Sequence, residues 1–163
     1  LGQLDVGIVS PRPTIPGLVW RRLLRQRLRL AVPTTHRLAS RDTVLLETLA
    51  DEAFLSMSAG FGMRTILEGL CAAAGFVPQI AVECQELTTV AALVGAGLGI
   101  AVLPVEEVPL LPAGVSLVNI ADADAVRDIG MVWQPHPTGQ IRDFVDRARA
   151  VTASVHQRVL AAD

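Results

Sequence analysis

The sequence has no lysine and no tyrosine, only two cysteines, and aromatic residues at 4% of its 163 positions. Each shortage removes a class of function. Cys71 and Cys84 are too few and too isolated for a disulfide framework, and His36, His136 and His156 are scattered without metal-ligand spacing. All 14 basic residues are arginine, set against 16 acidic ones, so the chain lacks the positive excess of a phosphate-tracking surface. No apolar run approaches a membrane span, and no basic-then-apolar leader opens the chain. These absences predict a soluble cytoplasmic protein with no metal, no cofactor and no membrane partner. What is present is aliphatic: 51% apolar content supplies a core for one ordinary domain or two small lobes. The chain opens at Leu1 and already shows a strand pattern at Leu4–Val9, which predicts that it begins inside a larger unit.

Along the chain, LDVGIV (Leu4–Val9) predicts a strand and SPRPTIPG a proline-rich turn. Leu18–Pro33 carries five arginines between Arg21 and Arg29. A basic amphipathic helix is one reading. A strand pair is the favoured one, because Arg25, Arg27 and Arg29 recur at period two. Val44–Asp51 predicts a short helix capped by Thr43, and Ala53–Met57 a buried strand. Met63–Ala74 predicts a helix with Ile66, Leu67, Leu70 and Ala74 on its apolar face and Gly75 as its stop. Val77–Glu83 is a further strand. A second helix carries Leu87, Val90, Ala91 and Val94 on one stripe, is stopped by Gly95, Gly97 and Gly99, and leads into the apolar strand Ile100–Leu103. The strand–helix alternation from Ala53 to Leu103 predicts a parallel, three-layer α/β lobe with right-handed crossovers. Beyond a connector at 105–114, SLVNI and Asp128–Trp133 predict strands, and Ile141–Leu160 a terminal helix with Ile141, Val145, Ala148, Val151, Val155 and Val159 on its apolar stripe.

The glycine cluster GAGLG invites a dinucleotide-binding reading, but its order is wrong. A phosphate-cradling loop follows a strand and opens a helix, whereas these glycines follow a helix and precede a strand. Two other loops have the correct polarity: Ser56–Gly62 and Cys84–Glu86. In open parallel sheets the ligand crevice lies beyond the carboxyl ends of the strands, where each helix start offers unpaired amides to a small anion. Ser56, Ser58 and Gln85 add donors there, and Arg64 adds a charge-assisted contact. Taken singly, Ser58 as a helix cap and Gln85 as a solvated side chain are the simpler readings; the pair of loops on one crevice favours binding. Enzymatic signals are thin. No serine sits in a nucleophile elbow, Cys71 falls near an apolar helix face as an inert thiol, and Cys84 lies at a strand end toward the crevice, with packing as its simpler role. Glu106, Glu107, Asp122 and Asp124 read as solvated acidic turns.

The ordered signatures LDVGIV, LRLAVPTTHRLA, LETLADEAFL, SAGFGMR with LCAAAGFVPQIAVE, ELTTVAALVGAGLGIAVLP and IGMVW resemble the effector-binding domain of LysR-type transcriptional regulators, from about Leu1 to about Arg149. The resemblance implies an α/β fold of the type 2 periplasmic-binding-protein kind, with two αβα lobes and a small ligand in the cleft. It implies a partial first lobe at 1–33 and 128–163, a second lobe at 34–127, and crossover strands near 31–35 and 129–134. Hinge positions would be Val32, Pro33, Thr34 and Val132. Ligand contacts would fall at Ser58, Gly60, Phe61 and Gly62, at Gln85 and Glu86, and at Ser10 after the first-lobe strand. The family's winged helix-turn-helix and linker helix have no counterpart here, nor does the opening strand, helix and second strand of the first lobe. DNA binding would therefore need an N-terminal domain outside this chain. The full-length protein would be a homo-oligomer, a dimer or tetramer.

Three functions follow. The first is a sensor of a small, anionic or aromatic metabolite that controls transcription through cleft closure. The second is a transporter's solute-binding protein on the same fold. The third is an enzyme on a related scaffold, for which Cys84 and Glu86 are the only crevice candidates and neither has a visible partner.

Overall fold

Fifteen residues, Val19–Pro33, form one continuous strand, β2, where a strand pair was expected. The reason is local. A pair needs a turn, and between Leu18 and Ala31 there is no glycine, proline, asparagine or aspartate to make one. The first half of β2 is polar, with Arg21, Arg22, Arg25 and Arg27 exposed, and its last residues, Leu30 to Pro33, are all buried. The computed structural model describes residues 4–104 and 111–160, with side chains through residue 152. Glu106, Glu107 and the side chain of His156 lie outside the described residues.

The chain divides into two compact units, Leu1–Arg25 with Asp128–Asp163, and Gln26–Arg127. In the first, β1 (Val6–Val9) pairs antiparallel with β8 (Val126–Trp133), in a register that sets Val6 against Trp133 and Val9 against Gly130. β8 in turn neighbours β2. Asp128 on β8 accepts two hydrogen bonds from Arg25, at 2.7 and 2.8 Å, with Arg22 at 3.5 Å. These contacts, the Arg25 hydrogen bonds first, hold the Asp128 carboxyl below its ordinary range. The Trp20 ring lies where a side chain at position 130 would stand, so only glycine fits there. The terminal helix α3 (Gly139–Leu160) buries Val145 and half-buries Ile141 and Ala148. Val151, expected on the same stripe, is 61% exposed, and the side chains of Val155 and Val159 lie outside the described residues.

The second unit holds most of the apolar core. β4 (Ala53–Met57) and β5 (Gln79–Cys84) pair in parallel, with Met57 beside Cys84 at their carboxyl ends. Between them runs α1 (Gly62–Ala73), which buries Met63, Leu67, Leu70 and Cys71. After β5 comes α2 (Leu87–Gly95), which buries Val90, Ala91 and Val94. Filling these stripes is worth about 1.5–3 kcal/mol per large side chain removed from water. Both helices end in the same glycine motif. Gly75 adopts φ +88°, its N–H donating to the Ala72 carbonyl and that of Phe76 to Cys71; Gly97 adopts φ +83°, with Gly97 bonded to Val94 and Leu98 to Leu93. The stop of α2 is therefore Gly97. Gly95 is its last helical residue, and Gly99 is required for space, because a Cβ there would stand 2.5 Å from the Ala53 carbonyl oxygen.

β6 (Ala101–Pro104) joins β4 only through a parallel bridge between Ile100 and Phe54. Its main pairing is antiparallel with Leu28–Ala31 of β2, whose other edge pairs with β7 (Val115–Ile120). The parallel part of the unit is thus smaller than the strand–helix alternation predicts. A two-residue strand, β3 (Thr43–Val44), runs parallel to β7, and a 3-10 turn at Leu46–Leu49 replaces the predicted helix. Thr43 does not cap it. The residue before the turn is Leu45, and the Leu46 amide donates instead to Asp122 Oδ2 at 3.0 Å, from far along the chain.

The positions expected as hinges do not lie at the division between units. Val32 and Pro33 are buried ladder residues of β2 against Ser116 and Val115, and the Thr34 amide donates to the Gly114 carbonyl at 2.8 Å. Val132 pairs with Gly7 inside the first unit.

Candidate functional site

The carboxyl ends of β4 and β5 lie side by side, and a helix starts immediately after each. Because the strands are parallel and in register at Met57 and Cys84, the first turns of α1 and α2 open from the same edge of the second unit. The connecting loops are fastened together: the Ser58 amide donates to the Cys84 carbonyl at 2.8 Å, and Ser58 Oγ donates to the same oxygen at 3.3 Å. Ser58 is therefore a loop tie and not the cap of α1. Its carbonyl accepts the Phe61 amide at 3.2 Å, closing a tight turn in which Gly60 takes φ +93°, a conformation that costs a side-chain-bearing residue about 1–2 kcal/mol.

The cap residues are Phe61 for α1 and Glu86 for α2, both extended, and neither makes a side-chain cap hydrogen bond. First-turn amides are the orphan donors of any helix, and the macrodipole adds partial positive charge at the same end. Two such ends on one edge form a surface suited to a carboxylate or another small oxyanion. Phe61 is 40% exposed and provides an apolar wall beside them. Gln85 and Glu86 are exposed at the second helix start, an amide and a carboxylate able to meet the donors and hydroxyls of a ligand. Gly62 is the first residue of α1 and is half-buried. The structure thus brings together Ser58, Gly60, Phe61, Gly62, Gln85 and Glu86.

Arg64 behaves differently from its expected role. Its Nε donates to Glu68 at 2.6 Å and its Nη1 to Glu83 at 2.7 Å, and its side chain is 15% exposed. Glu68, then Glu83, push its pKa up from the ordinary arginine value. The guanidinium is occupied in joining α1 to β5. Sequence reasoning missed this clamp because Glu83 lies on a strand whose facing alternates; Glu68, four residues along the helix, was the available signal.

Both thiols are buried. Cys71 is fully enclosed, and burial pushes its pKa up to about 11, so it is protonated and inert at neutral pH. Cys84 belongs to the core as well, with its carbonyl, and not its sulfur, serving the site. His36 contacts Glu52 at 3.3 Å and Arg37 donates to the same carboxylate at 2.7 Å, a local ion group away from both loops in sequence. No cluster of three or more His, Cys, Asp or Glu side chains that could hold a metal occurs among the described residues. No helix among them is long and apolar enough to cross a membrane.

In the first unit, Ser10 follows the carboxyl end of β1, and its Oγ is buried without a hydrogen-bond partner. Leaving a buried hydroxyl unpaired costs about 1–3 kcal/mol, so such a group is a natural point for a ligand or a water.

Residues 1–153 match the family model described as the LysR substrate binding domain. The HTH-type transcriptional regulator YybE of Bacillus subtilis (strain 168) is 33% identical over 133 residues, which cover 81% of this chain and 45% of the relative. The chain spans about half the length of the curated relatives it matches. Among solved structures, the BenM effector-binding domain with its effector benzoate superposes with a TM-score of 0.79 at 23% identity, covering 95% of this chain and 72% of that one. The effector-binding domain of QuiR in complex with shikimate gives 0.79 at 23%, covering 93% and 73%. At that identity these two establish the fold.

Proposed function

The chain belongs to the LysR substrate-binding domain family, and on that premise we propose that the two helix starts of its second unit hold the carboxylate of a small organic acid. The observation that carries this is the pair of uncapped helix N-termini, α1 and α2, opening from one edge and tied by Ser58 to the Cys84 carbonyl. Phe61 packs on the apolar body of the ligand, Gln85 donates to it, and Glu86 accepts from its hydroxyls. Glu86 also sets a limit. Its negative charge beside the α2 start disfavours a second anionic group, so a hydroxylated or aromatic monoacid fits better than a diacid. The solved relatives in complex with benzoate and shikimate are of that chemical kind. Arg64 acts behind the contact, by fixing α1.

The match to a regulator family favours sensing over the solute-binding and enzymatic readings. Ligand binding would bias the conformation of the chain and so the DNA-binding part of the full-length regulator, which would act in the cytoplasm as an oligomer. The test is a titration with benzoate and with shikimate, followed by backbone amide shifts. Saturable shifts at Gly62, Met63, Leu87 and Thr88 with either acid support the site. If every acid of a broader monocarboxylate panel leaves those four amides unmoved, the site is wrong.

A further inference from the structure

The first unit carries a second concentration of anion-binding chemistry, away from Ser10. On α3, Arg142, Val145, Asp146 and Arg149 fall at i, i+3, i+4 and i+7, which is one face of the helix. Val145, 6% exposed, anchors that face. Arg142 and Arg149 stand one turn to either side of it, and Arg21 of β2 and Trp133 at the end of β8 complete a hollow of about 150 Å³. Three arginines thus line one hollow with a single acidic residue among them. Asp146 does not neutralise the set, since its one ion pair among the described residues is a long contact of 3.9 Å to Arg149. Neither Arg21 nor Arg142 has an ion-pair partner among the described residues.

We propose that this hollow binds a small organic monoanion with a flat apolar body, such as an aromatic carboxylate, independently of the loops of the second unit. The carboxylate would lie on the Arg142 and Arg21 forks, whose paired N–H groups match its two oxygens. The ring would lie against the Trp133 indole and Val145. Inorganic phosphate offers the charge without the apolar body, so it separates a designed hollow from a merely basic rim. The arginines are exposed, which makes the expected binding weak and salt-sensitive.

The chain has two tryptophans, so the two indole N–H signals in a proton–nitrogen correlation spectrum can be told apart by a Trp133→Phe variant. Benzoate and phosphate are titrated in turn at constant ionic strength. Benzoate is expected to move the Trp133 indole signal to saturation, phosphate is not, and Arg142→Gln with Arg21→Gln is expected to weaken the benzoate effect by at least about tenfold, equal to 1.4 kcal/mol. Circular dichroism checks that the variant is folded, and Arg142→Lys keeps the charge while losing the fork and should recover only part of the affinity. A silent Trp133 signal, an equal response to phosphate, or an undiminished response in the folded double variant overturns the proposal. The amide shifts at the α1 and α2 starts are read from the same titration, so loss of one site is distinguishable from loss of the other.

Discussion

Removing Arg64 tests whether it is a clamp or a ligand contact. Its guanidinium bonds Glu68 at 2.6 Å and Glu83 at 2.7 Å, and the two carboxylate side chains are 51% and 46% exposed. In an Arg64→Met variant they return to water, so no charge is stranded in the core and the large penalty of a broken buried pair does not apply. The i,i+4 contact to Glu68 is worth about 0.3–0.5 kcal/mol and the contact to Glu83 at most about 1. Methionine keeps most of the apolar stem. The expected loss is therefore about 1–1.5 kcal/mol, a fall in Tm of roughly 2–6 °C for a chain this size. Urea unfolding of the wild type, Arg64→Met, Glu83→Gln and the double variant gives the cycle. A coupling of about 0.5–1 kcal/mol is expected at low salt, shrinking at molar salt. Additive single-variant effects, with no coupling at either salt, would refute the clamp and return Arg64 to the ligand.

Gly99→Ala and Gly97→Ala should separate steric from conformational cost. The first drives a Cβ toward the Ala53 carbonyl and should destabilise by about 2–3 kcal/mol; the second has open space but φ +83° and should cost about 1–2, both read by urea unfolding. Asp128→Asn should cost about 0.5–1 kcal/mol at neutral pH. Because the folded carboxyl pKa is depressed, that contribution is present above the unfolded value of about 4 and is lost as pH falls through the folded value. Wild type and variant should therefore converge in stability in strong acid, and a gap that persists there would show that the loss is not electrostatic.

The helix stripes and their ends were legible because they are local. Apolar residues three and four apart, followed by Gly75 and Gly97, carry α1 and α2 without reference to the rest of the chain. The two strand-to-helix loops were legible for the same reason, since a strand running into a helix at Ser56–Gly62 and Cys84–Glu86 needs only its own residues. What escaped was set by distant partners. The single long β2 depends on β6 and β7 taking its two edges, the 3-10 turn at Leu46 is held by Asp122, and Arg64 is claimed by Glu83. The exposure of Val151 escaped as well, because periodicity marks a face and does not say which of its positions is covered.

Helices α1 and α2 are locked at one end by their glycine motifs and left without side-chain caps at the other. That asymmetry is a direction in time as well as in space. Amide protons in the last turns should exchange with solvent slowly and those in the first turns quickly, a gradient running along each helix. An acid seated at the open ends would flatten the gradient from its fast side. Exchange rates would then report occupancy of the loops without the identity of the occupant having to be known.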